Sequence, residues 1–475
     1  MNNSGNQNIN KRVFLQAKYF FLARLLQVIL VFAILIGFSL ILSKENYGLY
    51  QASWVFMNLF APLIFLGLPQ QLLTLPGNAV LTHLPWLFKK HLPYSILVGI
   101  ILLATLLLVQ QKFSMALLTC IFFCTILQAI MLILDNLMLK LNADKLFLRQ
   151  NLLYSLLFLL IHVSWLLLHG SVIWLIAAIG CISFIKSLRF FLFIRKQQWS
   201  KNAPIEDKIY FLQQWNQLSL NEIINRFSSN ADKLVIIFLL SLSGFSVYYN
   251  GTYEIPFFAM LVTALGNSLS VQISNNLTHE KHSAQLFKQS LVMGSSVSFP
   301  LFFFFYLFST PLFQFFLNGK YMDAVPLFNI AIFIAFLRIT SFTAILQVFK
   351  KNKTILLGSV IDLLANITIV VILYPVLGIK AFPLGYILGT ALQIAYYIVE
   401  TTKILNVKAA DIIPIKWLVA LTLVLTLIYL ILYKMVIALP NWATISIAAA
   451  ITASLIYLLT RYFGQKSTNQ NLRFL

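Results

Sequence analysis

The sequence predicts an all-α polytopic membrane protein, and three observations carry that reading. Of the 475 residues, 60% are hydrophobic and only 10% charged, and the mean hydropathy is +0.87; an ordinary soluble domain has roughly one charged residue in four. Apolar runs of about 20 residues recur from Phe20 to Tyr462, each long enough as a helix to cross a hydrocarbon core of about 30 Å. Stretches such as Ile96 to Val109 are apolar on every side, whereas a barrel strand alternates polar and apolar positions over about 10 residues. The runs therefore read as helices of one closely packed membrane domain, with no room for a soluble one.

The first run, Phe20 to Leu42, is too long for a signal peptide and no small-residue cleavage site follows it, so it stays as the first span. Further spans are expected at 52–74, 93–111, 113–139, 151–169, 171–193, 219–243, 255–277, 290–310, 325–349, 354–374, 380–400, 415–434 and 443–462, about fourteen in all. The loops check that count. With the N-terminus inside, 26 of the 34 Lys and Arg fall in inward segments, Lys186 and Arg189 among them. The outward loops hold Lys44, Lys112, Lys320, Lys380 and Lys434, and Arg226, Lys233 and Arg338 lie inside spans. This is the alternation of the positive-inside rule, and it puts both termini in the cytoplasm. The formal charge of +21 then describes a cytoplasmic membrane face rather than a nucleic-acid site.

The longest inward loop, about Arg195 to Gln217, looks like a joint between halves. Arg24 in the first span is followed 24 positions later by Gly48 of Tyr47-Gly48-Leu49-Tyr50, and Arg226 in the seventh is followed 25 positions later by Gly251 of Asn250-Gly251-Thr252-Tyr253. Six helices per half give both repeats one orientation, a parallel pseudo-repeat. The expected domains are an N-terminal six-helix lobe (1–194), a cytoplasmic linker (195–217), a second six-helix lobe (218–402), and two C-terminal helices with a tail (403–475).

Ionisable groups inside spans cost at least about 2.5 kcal/mol each, so each needs a partner, a wet cavity or a function. At 100° per residue Glu222, Arg226, Ser229 and Lys233 share one stripe of the seventh span, with Asp232 to its side. Arg338 sits near the middle of the tenth span and Asp362 some eight residues into the eleventh. The bases Arg24, Arg226, Lys233 and Arg338 outnumber the acids best placed to neutralise them, and a cationic cavity suits a phosphate or diphosphate group. Glu222, Asp232 and Asp362 are candidates for ion coupling. Asp135, five residues before Lys140 and so near the cytoplasmic interface, is a secondary one. Structural pairing, such as Glu222 with Arg226 at i,i+4, is the competing reading.

No Walker-type phosphate loop occurs and no inward segment is long enough for a nucleotide-binding domain, which argues against direct ATP drive. The six histidines make no catalytic constellation, and no cofactor is expected. Cys120, Cys124 and Cys181 lie in apolar runs, which points to packing rather than a disulfide framework or metal site.

Fourteen spans, a basic first helix leading into Glu45-Asn46-Tyr47-Gly48-Leu49-Tyr50, Leu66-Gly67-Leu68 in the second span, and Ser229-Asn230-Ala231-Asp232-Lys233-Leu234 in the seventh resemble bacterial polysaccharide-biosynthesis flippases. These are the O-antigen-type members of the multidrug/oligosaccharidyl-lipid/polysaccharide exporter superfamily. The resemblance covers essentially the whole chain. It implies two six-helix lobes around a central cavity plus two C-terminal helices, and a non-enzymatic, alternating-access carrier in the bacterial inner membrane. The implied cargo is an undecaprenyl-diphosphate-linked oligosaccharide, its diphosphate met by Arg24, Arg226 and Lys233. Membrane lipids, a polysaccharide polymerase and a chain-length regulator are the implied partners, and nucleic acid is not. The alternatives are a multidrug or other small-molecule exporter of the same superfamily, which would favour an acidic, aromatic-lined cavity, and a membrane polymerase or ligase acting on the same lipid.

Overall fold

The computed structural model describes residues 29–468 except 70–71, 73–76, 142, 169, 197–207 and 275–279. Every regular element among them is a helix. The described residues form two compact units that divide between Ser246 and Val247.

The first unit runs through α1 (Ile29–Ile41), α2 (Lys44–Ile64), α3 (Gly77–Leu108), α4 (Met115–Lys140), α5 (Asp144–Leu168), α6 (Val172–Arg195) and α7 (Lys208–Leu239), and the division falls within α8 (Leu242–Gly251). Ser43 starts α2: its hydroxyl accepts from the Asn46 amide at 3.2 Å, filling one of the donors a helix start leaves open. The second span was expected to continue to residue 74, but α2 stops at Ile64, two residues after Pro62. Leu66 and Gly67 take positive φ values of 31° and 70°, a left-handed turn that ends a right-handed helix. In a bilayer the carbonyls freed by such a break must find donors within the protein. Ser95 Oγ donates to Ile64 O at 2.8 Å and His91 Nε2 to the same oxygen at 3.2 Å. Trp215 Nε1 and Ser219 Oγ donate to Leu66 O at 2.8 and 2.6 Å. The break thus joins α2 to α3 and α7, beside a core of Leu68, Leu72, Leu87, Leu137, Phe190 and Trp215.

The second unit contains α9 (Pro256–Ser274), α10 (Glu280–Leu307), α11 (Ser309–Phe316), α12 (Val325–Ala331), α13 (Ile334–Leu337), α14 (Ala344–Val348), α15 (Asn352–Leu377), α16 (Ala381–Leu405), α17 (Ala409–Ile412), α18 (Ile415–Val436) and α19 (Asn441–Thr468). The expected tenth span, 325–349, is the interrupted run α12–α14 rather than one helix. Its break begins at Arg338 (φ −91°, ψ 60°) and crosses Thr340, Ser341 and Thr343, hydroxyl residues that offer the backbone alternative partners. Small residues on the neighbours let the irregular backbone in. A Cβ on Gly294 of α10 would collide with the Ile339 carbonyl, and one on Gly266 of α9 with Ser341. Ser298 Oγ donates to Arg338 O at 3.2 Å, and the Ser290 and Thr340 hydroxyls bond at 2.5 Å.

α15 and α16 form an antiparallel hairpin closed by the short turn Gly378–Lys380, with Gly378 at φ 54°. Among the described residues nine helical stretches are long and apolar enough to cross a membrane by length and composition, the hairpin counted once. α1, α2, α7 and the α12–α14 run occupy the remaining expected positions. Large apolar side chains such as Leu168 and Val376 are 79% and 81% exposed, as on a surface solvated by acyl chains. The chain is a multi-pass membrane protein.

The two glycines of the sequence echo share a role. A Cβ on Gly48 would strike the Leu242 carbonyl, and one on Gly251 would lie 2.8 Å from Ala324 O. Each lets backbones meet at the end of a span.

Candidate functional site

The polar stripe of α7 has the order that its spacing predicts. Glu222 Oε1 accepts from Arg226 Nε at 2.7 Å. No hydrogen bond to the two terminal guanidinium nitrogens occurs among the described residues, and the Arg226 side chain is 41% exposed. A guanidinium held by Nε presents its terminal pair in the forked geometry that fits a phosphate. Lys233 is placed differently: its ammonium lies 3.4 Å from Asp232 and donates to Ser229 O at 3.2 Å, and both charged side chains are less than one-fifth exposed. Lys112 steadies the end of this helix. Its Nζ donates to the carbonyls of Ile237, Phe238 and Leu240 at 2.6, 3.0 and 2.7 Å, at the end where the helix dipole favours a cation.

In the second unit Arg338 sits at the break itself, not within a continuous helix. Its guanidinium bonds the carboxylate of Glu254, in the link between α8 and α9, and the hydroxyl of Tyr386 in α16. Asp362 is 5% exposed; its Oδ1 is 3.4 Å from Thr390 Oγ1, and Gly389 lies against its carbonyl. Arg24 falls outside the described residues.

The expected excess of intramembrane bases is therefore met by carboxylates. Each described candidate base, Arg226, Lys233 and Arg338, has an acid within ion-pair distance. Glu254, two residues before Pro256, is a lone acid with nothing in its local pattern to tie it to Arg338.

Asp135 and Lys186 also depart from expectation. Rather than at a solvated interface, the Lys186 side chain is 4% exposed and that of Asp135 13%. Lys186 Nζ contacts Asp135 Oδ1 at 3.1 Å and Oδ2 at 3.2 Å and donates to Asn151 Oδ1 at 3.0 Å. The rings of Tyr154 and Phe190 flank it at 5.1 and 5.5 Å. The available signal was position: Lys186 precedes Arg195, the end of α6, by nine residues, about 13 Å along a helix axis. That is too far from the helix end for its ammonium to lie in the connecting loop.

No family model matches the sequence, and no curated protein does. Solved structures do. The lipid II flippase MurJ in an inward closed conformation matches over 97% of this chain and 100% of its own, with a TM-score of 0.67 and 13% identity. An inward-facing multidrug resistance MATE family transporter of the MOP superfamily matches over 80% of this chain and 94% of its own, at TM-score 0.60 and 12% identity. A MOP superfamily transporter from Pyrococcus furiosus, described for the reverse polarity of its binding pocket, covers 83% and 94% at TM-score 0.51 and 11% identity. The chain shares the fold of these transporters.

Proposed function

We propose that this protein is a flippase that carries an undecaprenyl-diphosphate-linked oligosaccharide, an O-antigen or similar polysaccharide repeat unit, from the cytoplasmic to the outer leaflet of the bacterial inner membrane. The observation that carries the reading is Arg226, whose Nε is tied to Glu222 while its terminal nitrogens remain open. It belongs to a chain that shares its fold, end to end, with a lipid II flippase. A forked cation of this kind recognises a diphosphate through paired charge-assisted hydrogen bonds. Arg24, Lys233 and Arg338 are the further cations of the route, the last two paired with Asp232 and Glu254 until an anion arrives, and the two lobes, 1–194 and 218–402, alternate the access. Ion coupling is assigned to the carboxylates Asp362, Asp232, Glu222 and Asp135. Both termini face the cytoplasm, and the product passes to a polysaccharide polymerase and chain-length regulator.

Depleting the protein should trap the lipid-linked oligosaccharide on the cytoplasmic leaflet, read with a sugar-specific probe that cannot cross the inner membrane. Normal appearance on the outer leaflet, unpolymerised, would instead put the protein after translocation. Replacing Arg226 or Arg338 by Ala should stop transport without loss of membrane expression.

One observation favours a second reading, an exporter of small molecules. The pairing of each described candidate base with a carboxylate removes the net charge that singles out an anion, and the MATE transporter shares the fold. Increased accumulation of a cationic dye in depleted cells, with normal oligosaccharide sidedness, would decide for it.

A further inference from the structure

We propose that Glu254 is a built-in competitor for the anion that Arg338 receives, so that arrival of a diphosphate and release of the α8–α9 link are a single event. This rests on the flippase reading above and names how that site is regulated.

Three separate segments converge on one side chain. Arg338, at the break after α13, bonds Glu254 from the link before α9 and Tyr386 from the second turn of α16, whose ring centre lies 5.9 Å from the guanidinium carbon. The Arg338 side is fixed. Its carbonyl accepts from Ser298, and the next residue's carbonyl packs on Gly294, where not even a methyl group fits. The Glu254 side is not. It lies in a non-helical stretch, and no other group bonds its carboxylate among the described residues. The pair is also reachable, with side chains 24% and 38% exposed, unlike the Lys186–Asp135 pair at 4% and 13%.

The chemistry of exchange follows. A carboxylate offers Arg338 one negative charge, and a diphosphate diester offers two with oxygens set for the guanidinium fork. Since Arg338 donates to the Tyr386 oxygen, the phenolic proton is left to donate to a phosphate oxygen. One ion pair breaks and one forms, with no proton transferred. The displaced Glu254 then faces two like charges at short range, which drives the link away from the break. Binding of the anion thereby frees a segment that the empty site holds.

The test is isothermal titration of the full-length protein in lipid nanodiscs with inorganic pyrophosphate and, separately, farnesyl diphosphate. Glu254→Gln removes the competing charge and should tighten both ligands by about 5-fold, or ~1 kcal/mol. Glu254→Ala should tighten them to the same extent, which guards against a fault peculiar to one variant. Adding Arg338→Ala to either should abolish the gain. If Arg338→Ala weakens binding but neither Glu254 variant strengthens it, Glu254 does not compete and the flippase reading stands alone. A gain with pyrophosphate but none with farnesyl diphosphate overturns the inference by assigning the site to a free anion. If neither ligand binds any form of the protein, the inference and the diphosphate-carrying function fall together.

Discussion

Each unit contains a span interrupted by irregular backbone, and the two interruptions are managed in opposite ways. At residues 65–67 the freed carbonyls of Ile64 and Leu66 are taken by neutral donors, Ser95, His91, Trp215 and Ser219, next to a buried apolar cluster. His91 also stacks between Phe65 and Trp215, with ring centres 6.0 and 4.8 Å away. At residues 338–343 the backbone is accommodated by the small residues Ser290, Gly294 and Ser298 on one face of α10. The group projected from that break is a charged one, answered by a partly exposed carboxylate. A neutral, buried junction resists change because every opening orphans a polar group in a low-dielectric interior. A partly exposed ion pair opens cheaply because solvent or another anion replaces what is lost. The first break has the character of a fixed joint, and the second carries the exposed ion pair on which the exchange proposed above rests.

This contrast can be broken or sharpened by substitution, with melting of the detergent-solubilised protein as the readout. The largest effect is expected from Asp135→Ala, which leaves the buried Lys186 ammonium without its carboxylate in the first unit. The loss should be about 3–5 kcal/mol, and a melting temperature within error of the parent would show that the pair is solvated. Gly294→Ala comes next, because its methyl group needs the space of the Ile339 carbonyl. A cost of about 2–3 kcal/mol is expected, together with loss of transport if the shape of the break matters. Trp215→Phe keeps an aromatic side chain but removes one of two donors to Leu66 O and leaves space where the buried indole was, for about 1–2 kcal/mol. Adding Ser219→Ala should raise the cost more than additively, since that carbonyl is then orphaned. Glu254→Gln should be the mildest, below about 1 kcal/mol, because the pair is partly exposed. A penalty as large as that of Asp135→Ala would make the second break as rigid as the first and erase the distinction.

How much of this the sequence disclosed depended on the range of the interaction. Helix positions were legible because a span carries its own evidence: Ile96 to Val109 is apolar whatever packs against it. The interruptions were not. Leu66-Gly67 and Thr340-Ser341 are weak local signals within strong apolar runs, and what makes the breaks tolerable lies 149 residues away in Trp215 or across a helix interface in Gly294. The same holds for the site. The ionisable stripe of α7 and the Glu222–Arg226 pair follow from 3.6-residue periodicity alone. Glu254, 84 positions from Arg338, and Asn151, 35 from Lys186, are partners that only the fold brings together. Lys186 shows the limit of reading solvation from charge, since an ammonium buried on a carboxylate and one in water look alike in a list of loops.

The α15–α16 hairpin has a consequence for how the chain reaches the bilayer. Asp362 and Asn366 are buried at 5% and 8% exposure. Their covering surface, Gly385, Gly389 and Thr390, lies on the very next helix across a turn of three residues. A ribosome delivers these two segments in immediate succession, so the pair can leave the translocation channel as one unit. The carboxyl group then enters the lipid already wrapped by its neighbour, and the energetic barrier to inserting a lone acidic helix is avoided during synthesis rather than after it.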